Sequence, residues 1–146
     1  MLIAALAALA MVPARSLPAT EVPVLRIERV FVDASRATPR NNDFPGAAER
    51  TLRTLVWYPQ GGPHAAPYPL FLLAHGFTGL PEKFDALARY IAAQGYVVAA
   101  PAFPLTNQHA PGGATFGDAG AQPQDVAFVL AALIDAGAAG EPPLGG

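Results

Sequence analysis

The fold is decided by one stretch, Pro-Leu-Phe-Leu-Leu-Ala-His-Gly-Phe-Thr-Gly, which occupies residues 69–79. Residues 70–74 form a short, purely apolar run that stops at a histidine–glycine pair. An apolar run of this length between turn residues is typical of a strand buried on both faces. Because a helix start at Pro81 follows, the stretch predicts a strand that leads through a glycine-containing turn into a helix. Ligands of open α/β sheets bind at such strand ends.

Composition narrows the class of protein. The chain has 146 residues, of which 52% are hydrophobic and 14% charged, so it is expected to form one globular domain or part of one. A net charge of −2 without a basic cluster argues against a nucleic-acid partner. The absence of cysteine excludes disulfides, thiol catalysis and cysteine-based zinc sites.

The N-terminus resembles an export signal. Residues 2–12 are eleven apolar residues, too few for a bilayer span, which needs roughly 20. Small-residue cleavage sites follow at residues 12–14 and 17–19, although the positive segment that usually precedes the apolar run is missing. Residues 1–19 are therefore predicted to be a signal peptide and residues 20–146 a partial domain. We expect a secreted or periplasmic protein without an integral membrane span.

The remaining pattern alternates strands and helices. Strands are predicted at residues 24–32, 51–58, 70–74 and 96–100, and helices at 81–94 and 123–136. The first strand interleaves charged and β-branched residues, as an exposed outer strand does. The order strand, helix, strand with short links predicts a parallel, right-handed βαβ unit. Residues 101–122 form a long loop rich in glycine and proline, and such loops are often functional.

The turn His75-Gly76-Phe77 is the strongest candidate for chemistry. Acyl transfer builds negative charge on a carbonyl oxygen, and fixed backbone N–H groups stabilise that charge. Gly76 carries no side chain that could block a ligand's approach to the backbone. The alternative is that the pair His75-Gly76 simply ends a strand.

The other titratable residues give weaker signals. His64 lies in a loop and is expected to be solvated, His109 lies in the long loop without a nearby acid at ligand spacing, and no histidine spacing suits a metal site. Asp85 and Asp125 fall in the first turns of predicted helices, where the helix dipole favours acids. Asp118, in the long loop, is expected to be solvated.

No activated nucleophile is visible. Ser16 and Ser35 are the only serines, and no Gly-x-Ser-x-Gly motif occurs. The glycines at 76 and 79 do not form a phosphate-binding loop either, because Lys83 is followed by Phe84 and not by Ser or Thr.

In the order and spacing of these segments, the chain resembles the α/β-hydrolase superfamily. It looks most like the branch of dienelactone hydrolases, platelet-activating-factor acetylhydrolases and chlorophyllase-like or cutinase-like esterases. The resemblance is carried by residues 53–59, 69–79, 96–101, 103–106 and 122–130, and it covers roughly residues 24–137. It implies the N-terminal half of an α/β-hydrolase sheet: outer strands, then a parallel βαβ unit and a following helix.

The resemblance also implies roles for individual residues. The backbone N–H of Phe77 would be an oxyanion-hole donor, and the Phe77 ring would border the acyl pocket. His75 and Gly76 would shape the turn, while Thr78 and Phe103, the latter in segment 103–106, would contact the substrate. The implied activity is that of a serine-type carboxylic-ester hydrolase (an esterase, lipase or acetylhydrolase) that acts on a small-molecule or lipid ester without metal or cofactor.

The departure from the family lies beyond the helix at 123–136. The family's serine, acid and histidine follow that helix, and this sequence contains no counterpart of them. We therefore expect an N-terminal fragment that is inactive alone and that leaves strand 70–74 at a sheet edge, open to association. Two alternatives remain: a non-catalytic binding module on the same scaffold, and a carbon–carbon or peptide-bond hydrolase on the same fold.

Overall fold

The computed structural model describes residues 22–61 and 67–141. The predicted signal peptide with its cleavage sites, together with Ser16 and His64, lies outside the described residues. Within them, no helix is long and apolar enough to cross a membrane.

Within the described residues, four strands and two α-helices form in the expected order. The strands are β1 (Val24–Asp33), β2 (Arg50–Pro59), β3 (Leu70–Leu72) and β4 (Val97–Pro101), and the helices are α1 (Asp85–Ala93) and α2 (Gln122–Ala138). A 3-10 turn precedes each helix, at Pro81–Phe84 and at Phe116–Ala121. Pro81 suits the start of the first turn, because a proline at that position gives up no helical hydrogen bond.

The strands form one mixed sheet in the order β1-β2-β4-β3. β1 pairs antiparallel with β2, and β2 pairs antiparallel with β4. β3 and β4 are parallel, which confirms the predicted βαβ unit with α1 as its crossover helix.

The prediction that strand 70–74 is buried on both faces is wrong. β3 has three residues, and the side chain of Phe71 is 41% exposed. The physical reason is position: β3 lies at the sheet edge, and in the described part of the chain it pairs with β4 alone. An apolar cavity of about 310 Å³ lies beside this edge, between Tyr68 and Leu70 on one side and Leu133 and Ile134 of α2 on the other.

Two apolar layers hold the helices on opposite faces of the sheet. Alternate residues of β2 and β4 face each layer, as the twofold side-chain period of strands requires. One layer joins Leu52, Val56, Val97 and Ala99 to Val129 and Leu133 of α2. The other joins Leu55, Trp57, Val98 and Ala100 to Ala88 and Ala92 of α1.

Candidate functional site

A tight turn follows β3 and presents the candidate residues. The Gly79 N–H donates to the Gly76 carbonyl oxygen at 2.8 Å, and Thr78, the third residue of the turn, has a φ of 57°. This geometry belongs to the type II class of turns. A β-branched residue with positive φ is unusual, and such strain costs of order 1–3 kcal/mol. Hydrogen bonds from the Thr78 N–H to the Thr106 carbonyl (2.8 Å) and from the Thr78 hydroxyl to the Phe77 carbonyl (2.7 Å) hold it in place.

His75 links the ends of two strands. Its Nε2 accepts a hydrogen bond from the Phe103 N–H at 3.0 Å, so the ring proton lies on Nδ1, which donates to the Gly76 carbonyl at 2.8 Å. The side chain is buried, and this burial lowers the pKa of His75, opposed by the Gly76 hydrogen bond. Both ring nitrogens are therefore occupied by backbone groups in the neutral state, and neither is free to act as a base.

The turn requires glycine at position 79. A Cβ built at Gly79 would lie 2.8 Å from the Gly76 oxygen and 2.8 Å from the His75 Cβ. A Cβ built at Gly76 would meet no atom within 4 Å. The turn uses the carbonyl of Gly76, whereas at position 79 it requires a residue without a side chain. Sequence reasoning did not single out Gly79.

Phe77 presents an unoccupied donor at the surface. Its backbone N–H makes no hydrogen bond to any group of the described residues, and its side chain is 40% exposed. The Phe77 ring stacks on that of Phe116, with centroids 3.9 Å apart and planes 15° apart. Sequence reasoning missed Phe116; the available signal was that Phe116 is the one large apolar residue between residues 106 and 122.

Phe103, to which the resemblance assigns a substrate contact, lies in the interior. Its side chain is fully buried and packs against the His75 ring, with centroids 4.8 Å apart. The segment after β4 is turned inward because its carbonyl and N–H groups hold the turn at 76–79. Thr78, in contrast, is exposed as a substrate-contacting residue would be.

A buried ionic cluster fixes the segment that carries Phe116. Arg50 Nε and Nη2 donate to the two carboxylate oxygens of Asp125 at 2.6 and 2.7 Å. Arg50 Nη1 and Nη2 donate to those of Asp118 at 3.0 and 2.7 Å. Burial alone would lower the pKa of Arg50, but the hydrogen bonds that it donates to Asp125 and Asp118 outweigh this effect and raise the pKa. The expectation of a solvated Asp118 is therefore wrong, and Asp125 is an ion-pair partner in the core as well as a first-turn acid.

The remaining candidates have structural partners. The Trp57 Nε1–H donates to Asp85 at 2.9 Å, and Arg89 also donates to this carboxylate, at 2.8 Å. These two hydrogen bonds lower the pKa of Asp85. The Ser35 hydroxyl donates to Asp33 at 2.6 Å and contacts no histidine, so Ser35 is not an activated nucleophile.

The exposed His109 belongs to a separate cavity. This cavity of about 350 Å³ lies between the loop around Phe44, the start of β2 at Arg53, and the segment that includes Asn107 and His109. Its lining does not include the turn at 76–79. Among the described residues, no group of three or more His, Asp or Glu side chains could hold a metal ion.

Comparison with known proteins gives one informative likeness. No protein-family profile matches the chain, and no curated protein matches it. A solved structure that matches is a ferulic acid esterase from Streptomyces cinnamoneus, with a TM-score of 0.53 and 25% sequence identity. The match covers 63% of this chain and 36% of the esterase, so it spans about a third of that protein's length. The likeness indicates a hydrolase fold.

Proposed function

We propose that this chain is part of a serine-type carboxylic-ester hydrolase and that the Phe77 N–H is one of its oxyanion-hole donors. The observation that carries the proposal is the Phe77 N–H, which bonds no group of the described residues and lies after β3 on a turn closed by the Gly79 N–H to Gly76 carbonyl hydrogen bond. A donor fixed in direction before the ligand arrives stabilises a developing oxyanion without reorganisation. The likeness to an esterase supports the same activity.

The proposed reaction uses groups beyond the described residues. A serine transfers its hydroxyl proton to a histidine while its oxygen attacks the ester carbon, and the carbonyl oxygen becomes an oxyanion that accepts from the Phe77 N–H. The bond to the alcohol breaks as the histidine protonates the leaving oxygen. Water then cleaves the acyl-enzyme by the same route. Within residues 22–61 and 67–141 no serine has a histidine partner, so this chain supplies the donor side of the site.

The finer assignments belong to the same proposal. The substrate is a small-molecule or lipid ester, and the reaction uses neither metal nor cofactor. Within the superfamily, we assign the protein to the branch of dienelactone hydrolases, acetylhydrolases and cutinase-like esterases. We also propose that the protein is exported, on the basis of residues 2–12.

A second candidate is a non-catalytic binding module on the hydrolase scaffold. It is favoured by one observation, namely that Ser35, the serine within the described residues, is bonded to Asp33 and not to a base. Labelling with a fluorophosphonate probe separates the two candidates, because only an activated serine reacts. Labelling of the complete protein supports the hydrolase, and its absence supports the binding module.

The donor itself is tested by two substitutions of Phe77 in the complete enzyme. Phe77→Pro removes the N–H but suits the second position of a type II turn, where proline is favoured. Phe77→Ala keeps the N–H and removes the ring. We expect Phe77→Pro to lower kcat by about 10²–10³, the usual effect of losing one oxyanion donor. Phe77→Ala should mainly raise KM. If Phe77→Pro retained full kcat, the donor assignment would be wrong.

A further inference from the structure

Phe116 lies over the candidate donor residue and is itself open to solvent. The side chain of Phe116 is 70% exposed, although one face of its ring is covered by Phe77. An exposed phenylalanine in a loop is ordinarily free to choose rotamers, which makes its ordered stacking informative.

The backbone around Phe116 is fixed by two kinds of contact. Thr115, the residue before it, donates its N–H to the Leu105 carbonyl at 2.8 Å and accepts the Gly117 N–H on its hydroxyl at 3.2 Å. Two residues after Phe116, the buried Asp118 is bound through both carboxylate oxygens to Arg50. A bidentate guanidinium–carboxylate pair fixes orientation as well as distance. The backbone is thus held on both sides of Phe116.

We propose that Phe116 is a specificity-determining residue that selects planar aromatic acyl groups, and that the Arg50–Asp118 pair and the Thr115 hydroxyl together position it over Phe77. The inference rests on the proposed function, because it assigns the acyl side of the same site.

Geometry determines where the aromatic group lies. The ring centroids of Phe77 and Phe116 are 3.9 Å apart, which leaves no space for a third ring between them. The open part of the stack lies on the outside of Phe116. An ester whose carbonyl oxygen accepts from the Phe77 N–H has its acyl carbon next to that residue, so a planar acyl group reaches the rings. Aromatic rings prefer such offset or edge contacts to other rings over saturated partners of the same size.

The test measures binding without turnover. Ethyl benzoate and ethyl cyclohexanecarboxylate differ in the planarity of the acyl ring, and their dissociation constants for the 146-residue protein are compared by ligand-detected saturation-transfer NMR. This measurement tolerates self-associated protein. We expect tighter binding of the benzoate. Phe116→Leu should lower the benzoate-to-cyclohexane preference by roughly two- to twelvefold, whereas Phe116→Tyr should retain it.

The positioning role needs a separate variant. Asp118→Asn removes one charge of the buried pair and should lower the preference although Phe116 is unchanged. The matched control Asp135→Asn, at an exposed carboxylate on α2, should leave the preference unchanged. Thr115→Val, which removes the hydroxyl that caps Gly117, gives the same test if Asp118→Asn does not fold. Near-ultraviolet circular dichroism of the buried Trp57 reports folding in each case.

Each outcome decides between the two claims. No preference in the unmodified protein, or an unchanged preference in Phe116→Leu, overturns the inference even if the complete enzyme hydrolyses esters. An unchanged preference in folded Asp118→Asn or Thr115→Val overturns the positioning role. A preference that depends on Phe116 in a protein without ester hydrolysis refutes the proposed function and leaves the aromatic selectivity standing.

Discussion

The turn after β3 predicts a sharp difference between two substitutions that look alike in the sequence. Gly79→Ala places a Cβ 2.8 Å from the Gly76 oxygen and from the His75 Cβ, and 3.1 Å from His75 Nδ1. None of these atoms can retreat easily, because His75 is buried and the Gly76 carbonyl accepts two hydrogen bonds. Gly76→Ala places its Cβ in open space.

The magnitude follows from two opposing contributions. Replacing glycine by alanine restricts the unfolded chain and so stabilises the fold by about 0.4–1 kcal/mol at a position without strain. This contribution is common to both variants. Overpacking at a site that cannot relax costs about 1–3 kcal/mol and applies to Gly79→Ala alone. Gly76→Ala should therefore be slightly more stable than the unmodified protein. Gly79→Ala should be less stable than Gly76→Ala by about 1–3 kcal/mol.

Urea unfolding followed by tryptophan fluorescence measures the difference. Trp57 is the only tryptophan and is fully buried, so its emission reports the whole sheet. The two variants should share a denaturant slope and differ in midpoint. Equal midpoints, or a lower midpoint for Gly76→Ala, would refute the turn geometry described above. Loss of activity in Gly76→Ala without loss of stability would show that the open space at Gly76 is occupied by the substrate.

Two further outcomes are expected. Burial lowers the pKa of His75 below its ordinary 6.5, so the unfolded chain binds this proton more tightly. The free energy of unfolding should then fall as the pH drops below about 6.5, and His75→Asn should abolish that slope in urea titrations at successive pH values. At the sheet edge, Phe71→Lys adds a charge beside the unpaired backbone of β3 and should reduce self-association measured by sedimentation velocity. The control Tyr90→Lys, on α1, should leave self-association unchanged. Equal effects of the two substitutions would show that the chains do not associate through the β3 edge.

Local sequence patterns predicted the elements because their causes are local. The interleaved charged and β-branched residues of β1 and the proline before α1 determine where those elements begin, within a few residues. The parallel pairing of β3 and β4 followed from the order of the elements. Burial of β3 did not, because it depends on how many strands lie beside it, and that number is not encoded within residues 70–74.

The features that sequence reasoning missed depend on contacts distant in the chain. Arg50 lies 68 residues from Asp118 and 75 from Asp125, so the loop context of Asp118 gave no sign of its burial. Phe103 is apolar and follows a strand in a loop, a context shared by exposed and buried residues alike. The difference between Gly76 and Gly79 depends on the path of the turn, which brings the Gly76 carbonyl oxygen and the His75 Cβ within 2.8 Å of a Cβ at position 79.

The hydrogen bonds between the turn at 76–79 and the segment after β4 restrict the rotation of the turn. The segment after β4 holds the turn at three places: the Phe103 N–H on His75, the Thr106 carbonyl on Thr78, and the Gln108 N–H on the Gly79 carbonyl at 3.3 Å. A body attached at one point can tumble and at two can still swivel about the line between them, but three points that are not in line remove its rotational degrees of freedom. The Phe77 N–H therefore keeps its direction when no ligand is present. Its orientation is settled when the chain folds, so in the proposed site an ester carbonyl would align itself to a donor direction that already exists.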